Sequence, residues 1–266
     1  MNAAKNLLKN RYVLHELVRK RVKTQYRNSV LGMFWTVLNP LLNMLVMWVV
    51  FSQFFGRGDP LYPVYLLTGN ILFSCLRGAT DGSLQSVVNN RGLLTRVKID
   101  SYLFPLSTTL SSLVNMAFSM IALLLIMFGM QLFGGYSIFS FRIFIVFLMI
   151  PAFVLFEYGI GLFLAALYVF FRDIKYLYSV FLTLWTYLTP IFYKADTMIA
   201  TGSFAGKIIK LNPMYYFVRF FRDSVYNGFS TPIWQDLFVL YGLGIVSVVI
   251  GAIVFKILKK KFMTYI

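Results

Sequence analysis

Long apolar runs constrain this chain more than any other feature. Six stand out, at roughly 30–55, 62–80, 104–133, 141–170, 174–193 and 236–257. A helix needs about 20 mostly apolar residues to cross the hydrocarbon core. Backbone inside lipid must also satisfy its own hydrogen bonds, which favours helices. The expected fold class is therefore an all-α integral membrane protein with six transmembrane helices. Composition agrees: 59% of residues are hydrophobic, 13% are charged, and the mean hydropathy is +0.74. A soluble domain is nearer 45–50% apolar and about 25% charged. The third and fourth runs exceed one perpendicular crossing, which predicts tilt or extension past the bilayer. Gly134 and Gly135 predict a tight turn between them.

Charge sets the orientation. The net charge of +16 resembles that of a nucleic-acid binder, but the apolar runs exclude that reading. With both termini on one side, seventeen Lys and Arg fall on that side and seven on the other, with Arg77 at the end of the second run. Lys and Arg concentrate on the cytoplasmic side, so both termini are expected in the cytoplasm. The basic surplus then also attracts anionic headgroups. Eight basic residues occupy the first 29 positions, and the run that follows is too long for a signal-peptide core. It reads as a permanent first span rather than a cleavable leader.

The chain thus divides into an interface helix over 1–29 and a six-span domain over 30–266. Leu14, Val18, Val22 and Tyr26 recur at helical spacing, with Leu17 beside them, while Arg19, Lys20, Lys23 and Arg27 lie largely elsewhere on the wheel. Such a helix suits the headgroup plane. It fits a lipid anchor, and equally a lever that touches a cytoplasmic partner. The loop 83–100, "SLQSVVNNRGLLTRVKID", is longer than the 2–8 residues common between helices and predicts a short amphipathic docking element around Gly92. The outer segment 194–235 is too apolar for a loop in water, with Tyr215, Tyr216, Phe217, Phe220 and Phe221 in its aromatic stretch. It predicts short re-entrant helices between spans five and six. Asn28 to Gly32 predicts a bend into the first span, with Trp35 as an interface anchor and Pro40 within the span.

Catalytic chemistry is sparse. His15 is the single histidine, Cys75 the single cysteine, and no Cys/His metal spacing or G-x-S-x-G nucleophile motif occurs. Cys75 reads as a packed small residue. "TGSFAGKI" (Thr201 to Ile208) imitates a phosphate loop, but Gly202 and Gly206 are spaced one residue too short and Ile208 replaces the hydroxyl residue. Glu157 is the one acid deep within a run, which predicts a position facing the bundle, with Arg77, Tyr158 or Ser119 as partner.

Five stretches, in order, carry a family resemblance: "YRNSVLGMFWTVLNPLL" (Tyr26 to Leu42), "NRGLLTRVKIDSYLFPLS" (Asn90 to Ser107), "LYVFFRDIKYL" (Leu167 to Leu177), "YLTPIFY" and "LNPMYYFV". Together they resemble the membrane-spanning permease subunit of a type-2 ABC-superfamily polysaccharide exporter, the group that includes O-antigen, capsule and wall teichoic acid exporters. The resemblance covers nearly the whole chain. Family members often carry proline where this chain has Asp100.

The resemblance implies a bacterial inner-membrane homodimer with two copies of a cytoplasmic ATPase, which would hold ATP and Mg; this chain itself would bind no cofactor and no metal and catalyse no bond change. The substrate would be a polymer on a polyprenyl diphosphate lipid. Docking and coupling would involve Arg19, Lys23, Arg27, Asn90, Leu93, Leu94, Arg96, Arg172 and Asp173. The path or gate would involve Glu157, Tyr187, Phe192, Tyr193, Tyr215, Tyr216 and Phe220. An aromatic content of 18% suits the C–H faces and hydroxyls of sugars, although most bundle aromatics serve packing. Arg27, Arg91 and Arg96 could attract a diphosphate, ordinary anionic lipid or the ATPase. Two other readings stand beside this one: a small-molecule or drug exporter of the same superfamily, and a polyprenyl-linked sugar-modifying membrane enzyme.

Overall fold

The computed structural model describes residues 10–25, 32–51, 59–96, 99–134 and 141–262, and these are helical with short connections. The elements are α1 (Arg11–Gln25), α2 (Trp35–Phe51, entered through a 3₁₀ turn at Gly32–Phe34), α3 (Tyr62–Asn89), α4 (Arg91–Arg96), α5 (Leu103–Gly134), α6 (Val146–Phe170, entered through a 3₁₀ turn at Phe141–Ile145), α7 (Ile174–Leu188), α8 (Asp196–Ala200), α9 (Phe204–Leu211), α10 (Pro213–Arg222, continued by a π turn at Asp223–Asn227) and α11 (Ile233–Lys259).

Among the described residues, three stretches are both long and apolar enough to cross a membrane: Leu103–Phe133, Phe141–Phe170 and Ile233–Lys259. The other three anticipated spans differ from expectation in instructive ways. The described helix of the first, α2, has 17 residues, with Pro40 inside it. The fifth, α7, has 15, about 22 Å at 1.5 Å per residue. The second, α3, runs for 28 residues and carries Arg77 and Asp81 on its length. Residues 83–89, expected as loop, continue this helix, so the connector proper shortens to α4 and the residues after it. The anticipated Gly134–Gly135 turn, Arg27 and most of the Asn28–Gly32 bend lie outside the described residues, although Gly32 itself sits at φ +50°.

Two seams hold the bundle. Between α6 and α11, small residues let the backbones touch: a Cβ on Gly251 would fall 2.1 Å from the Gly159 carbonyl oxygen, and one on Gly244 2.7 Å from the Ala152 carbonyl oxygen. Ser247 donates to the Phe156 carbonyl across the same seam at 2.8 Å. This is the close approach expected where lipid supplies no hydrophobic drive between helices. The α3–α5 seam is polar: Ser83 bonds Thr108, and Thr108 reaches the Ala79 carbonyl at 3.3 Å. Buried hydroxyls are satisfied there by each other and by backbone carbonyls.

The connections segregate to opposite ends. A cluster of Val87, Leu162, Ala165, Val169, Phe255 and Phe262, with Leu94, Tyr102 and Phe170 against it, gathers the ends of α3, α6 and α11 with the start of α5. Lys259 pairs with Asp100 there at 3.5 Å. At the other end Lys194 pairs with Asp59 at 2.7 Å, and α10 packs beside the start of α3.

Candidate functional site

Helix α7 stops because Thr189 precedes Pro190: the proline ring disfavours a helical residue before it and supplies no N–H. Thr189 is accordingly extended, at φ −86° and ψ 130°. The non-helical stretch that follows exposes a row of carbonyls, and side chains of α3, of α10 and of its cap Asn212 take several of them. Asn212 reaches Leu188 O at 3.3 Å, Tyr62 reaches Phe192 O at 2.7 Å, and Tyr65 bonds both Pro190 O, at 3.1 Å, and Tyr193 O. Arg222 donates to Pro190 O at 2.7 Å, Ile191 O at 3.3 Å and Tyr65 O at 3.1 Å, and its Nε points to Thr68 at 3.4 Å. Buried irregular backbone is tolerated where other groups satisfy its carbonyls, and this collar does so. Gly69 makes room for the guanidinium: a Cβ there would fall 2.9 Å from Arg222 Nη2.

Asn212 ties the collar to α10. It accepts the Trp185 indole N–H at 2.8 Å, caps Met214 N at 3.0 Å, and donates to Thr189 at 2.9 Å. Arg219 extends the same end, reaching Asp223 at 3.5 Å, Asp236 at 3.9 Å and Thr231 at 3.2 Å.

The expected gate residues divide. Tyr187 is exposed, Tyr193 donates to its carbonyl at 3.2 Å, and Tyr215 and Tyr216 are half-buried with Tyr216 donating to Lys210 O at 2.9 Å. Phe192 and Phe220 are buried; Phe220 sits against Phe229 with ring centres 5.2 Å apart. Helix α10 turns its aromatic face, including Phe217 and Phe221, into the core of the chain.

Glu157 is fully buried, as expected of a deep acid, but not with the expected partners. Arg77 bonds Thr186 at 3.2 Å, Tyr158 bonds the Tyr102 carbonyl at 3.3 Å, and Ser119 bonds the Asn115 carbonyl at 3.1 Å. Neither Glu157 oxygen has a hydrogen-bond partner among the described residues, and the group facing it from α3 is the Cys75 thiol. The sequence offered no signal for that pairing.

The described docking candidates lie on α1, at the end of α3, on α4 and in the turn between α6 and α7. Arg19 and Lys23 are exposed on α1, with Arg19 3.9 Å from Glu16. Asn90 closes α3 by bonding Ser86 O at 2.8 Å, and accepts Leu93 N at 3.0 Å. Leu93 and Leu94 are half-buried on α4, Arg96 ends that helix, and Arg172 and Asp173 form the exposed turn between α6 and α7.

What the sequence reading missed is a polar face. Asn70, Ser74, Arg77, Gly78 and Asp81 recur at helical spacing along α3, and Ser74, Arg77 and Gly78 are exposed in the single chain. Averaged hydropathy hid them. Two adjoining cavities lie beside this face. One, about 510 Å³, lies between α1, α3 and α5 and includes Lys20, Arg21, Ser107 and Ser111 in its wall. The other, about 310 Å³, includes Asn39, Asn43, Asn70 and Ser119, as well as Trp35, which was expected as an interface anchor. Gln25, Gly78, Ser112 and Asn115 belong to both, and Gln25 bonds Asn115 at 3.2 Å.

A family model described as ABC-2 type transporter matches residues 12–226, which contain both cavities and the collar. The chain belongs to this family. Its relatives agree over nearly their full length. The O-antigen export system permease protein RfbA of Myxococcus xanthus is 28% identical over 258 residues, covering 97% of this chain and 96% of the relative. Two Klebsiella pneumoniae proteins of the same name are 27% and 25% identical over 246 residues, each covering 92% of both chains. This ABC-2 type chain is thus a multi-pass membrane protein related to transport permeases, and the resemblance read from its five motifs holds. Helix α11 lies beyond the matched segment but within the span shared with the Myxococcus relative.

Proposed function

We propose that this chain is the transmembrane permease subunit of an ATP-driven exporter that moves a lipid-linked polysaccharide across the cytoplasmic membrane. One observation carries the reading beyond family membership: the polar face of α3, with Arg77 exposed on it, in a chain built to sit in lipid. A charged or amide side chain facing hydrocarbon costs several kcal/mol. The face therefore lines a hydrated path or meets another subunit. A sugar polymer would use the same amides and hydroxyls, with exposed Tyr187 offering a ring for C–H contacts.

In this reading six segments span the membrane with both termini cytoplasmic, α2, α3 and α7 completing the set, and the short helices after α7 re-enter the outer leaflet. Two copies enclose the path. Two cytoplasmic ABC ATPases, which bind ATP and Mg, dock on α1, α4 and the Arg172–Asp173 turn. Nucleotide-driven closure then moves these elements, and coupling requires that they make different contacts in the two states. The chain itself makes no covalent change.

A deletion strain tests this. Surface polymer should disappear, lipid-linked polymer should accumulate inside, and a plasmid carrying this chain should restore export only when an ABC ATPase is supplied with it. Restoration without any ATPase, or polymer export unaffected by the deletion, would overturn the reading. A permease for small apolar molecules would instead leave polymer unchanged and alter drug tolerance.

A further inference from the structure

Helix α9 (Phe204–Leu211) is held at a fixed rotation. Ser203 caps it, accepting the Gly206 N–H at 3.2 Å and donating to the Met198 carbonyl at 2.9 Å. Gly206 lets α9 close on α8, since a Cβ there would fall 2.3 Å from the Met198 carbonyl oxygen. Beyond its other end, Tyr216 donates to the Lys210 carbonyl at 2.9 Å, and Asn212, bonded into the collar, caps α10. The residues of α9 that these contacts bury are Gly206 and Ile209.

The exposed sides of α9 differ in chemistry. Phe204 and Leu211 are 80% and 82% exposed, and at 3.6 residues per turn they fall within about 20° of each other. Lys207 lies about 60° from Phe204 and Lys210 about 60° further round, and both are exposed. Helix α9 carries no acid, and neither lysine has an ion-pair partner among the described residues. Lys194, at the same end of the chain, does have one in Asp59. The helix thus has a buried side, an apolar edge and a cationic edge. Water would leave two large apolar side chains uncovered, and hydrocarbon would strand two ammonium groups. The headgroup boundary suits both: apolar side chains enter the acyl region while lysine stems carry their charges out to phosphate. A hydrated passage for a sugar polymer accounts for the lysines but not for the uncovered Phe204 and Leu211.

We propose that α9 binds an anionic phospholipid, with Lys207 and Lys210 on its phosphate and Phe204 and Leu211 against its acyl chains. The two lysines are three residues apart, with about 5–6 Å between Cβ atoms at that spacing, so one phosphate group serves both. Charge-assisted bonds from ammonium groups suit its oxygens. A zwitterionic headgroup would bring an ammonium of its own against two cations that have no acid beside them, so the site favours lipid of net negative charge. Because Asn212 joins α9 to the collar, the contact also fastens the end of α7 to the membrane surface. The assignment rests on the proposed placing of the short helices after α7 in a leaflet, and not on the polymer.

The test uses the full chain in phosphatidylcholine nanodiscs that carry a trace of photoactivatable phosphatidylglycerol or photoactivatable phosphatidylcholine, with crosslinks mapped by mass spectrometry. Helix α9 should take the phosphatidylglycerol probe about fivefold or more over the phosphatidylcholine probe. Lys207→Gln and Lys210→Gln should each lower that labelling about fivefold, the scale of one basic side chain at an anionic surface. The Lys207→Arg, Lys210→Arg double variant should keep it. Labelling of α1 in the same samples should not change and serves as the internal standard. Phe204→Ser with Leu211→Ser should lower labelling of α9 by both lipids. A soluble uronic acid oligosaccharide should not compete. Equal labelling by the two lipids, or glutamine variants that label like the parent, would overturn the site. Competition by the oligosaccharide would assign the lysines to an anionic polymer and overturn the lipid reading. Failure of the site and failure of the export reading are distinguishable. If the chain restores polymer export in cells while its glutamine variants label like the parent, the site fails and the export reading stands. If it restores no export while α9 labels in a Lys207-dependent way, the export reading fails and the site stands.

Discussion

The Arg222 guanidinium lies 3.4 Å from the centre of the Tyr65 ring, and the Tyr65 carbonyl accepts one of its N–H groups at 3.1 Å. A single tyrosine thus meets the same cation with its face and its backbone, while its hydroxyl holds the Pro190 carbonyl that Arg222 also holds. The end of α7 is therefore clamped from α3 and α10 at once.

Replacing that cation should be severe. Arg222→Met removes the side-chain donor to the Ile191 carbonyl and one of the two to the Pro190 carbonyl, and each unsatisfied buried group costs about 1–3 kcal/mol. The expected result is a large fall in thermal unfolding temperature in detergent and low membrane yield. Arg222→Lys, with fewer donors and no planar stacking, should lie between the two. A Met variant as stable as the parent would show that the collar does not hold α7.

Asn212→Ala removes a helix cap and the acceptor for the Trp185 indole together. Loss of a cap alone costs about 1 kcal/mol, so about 2 kcal/mol is expected here with the second bond lost. Chemical unfolding monitored by tryptophan emission should report it, with a smaller loss for Asn212→Asp, which keeps the acceptor.

The α6–α11 seam predicts a contrast between two glycines on one helix. Gly251→Ala drives a methyl group into the Gly159 carbonyl, whereas a Cβ on Gly242 meets nothing within 4 Å. Overpacking costs about 1–3 kcal/mol, so the unfolding temperature should drop for Gly251→Ala and hold for Gly242→Ala.

Glu157→Gln conserves volume and gives up no hydrogen bond among the described residues. Stability equal to or above the parent is expected, together with unchanged polymer export. Lost export at normal expression would instead give the carboxyl a part in transport.

Gly32 enters α2 at φ +50°, which proline, held near −65°, cannot adopt. Gly32→Pro is expected to cut export while the partner ATPase still hydrolyses ATP and the chain still inserts. Export at parental levels would remove the lever role assigned to the corner between α1 and α2.

Much of this was legible in residue order. The runs at 104–133 and 141–170 became helices near those limits because apolar length alone demands them in lipid. The aromatic stretch after Pro213 became a capped helix, since Asn212 and Pro213 are start signals wherever they stand. The short helix α7 and the polar face of α3 escaped because averaging over a run cannot say which side of a helix a residue occupies.

The sequence by itself therefore determined that the chain is helical and the order of its long helices, which depend on neighbours in the chain. Which faces meet was decided only in three dimensions. Arg222 bonds partners 31 to 157 residues away, Gly251 touches Gly159, and Cys75 rather than a cation faces Glu157. Contacts of that range follow from how helices rotate and cross, a property of the packed bundle that no local pattern encodes.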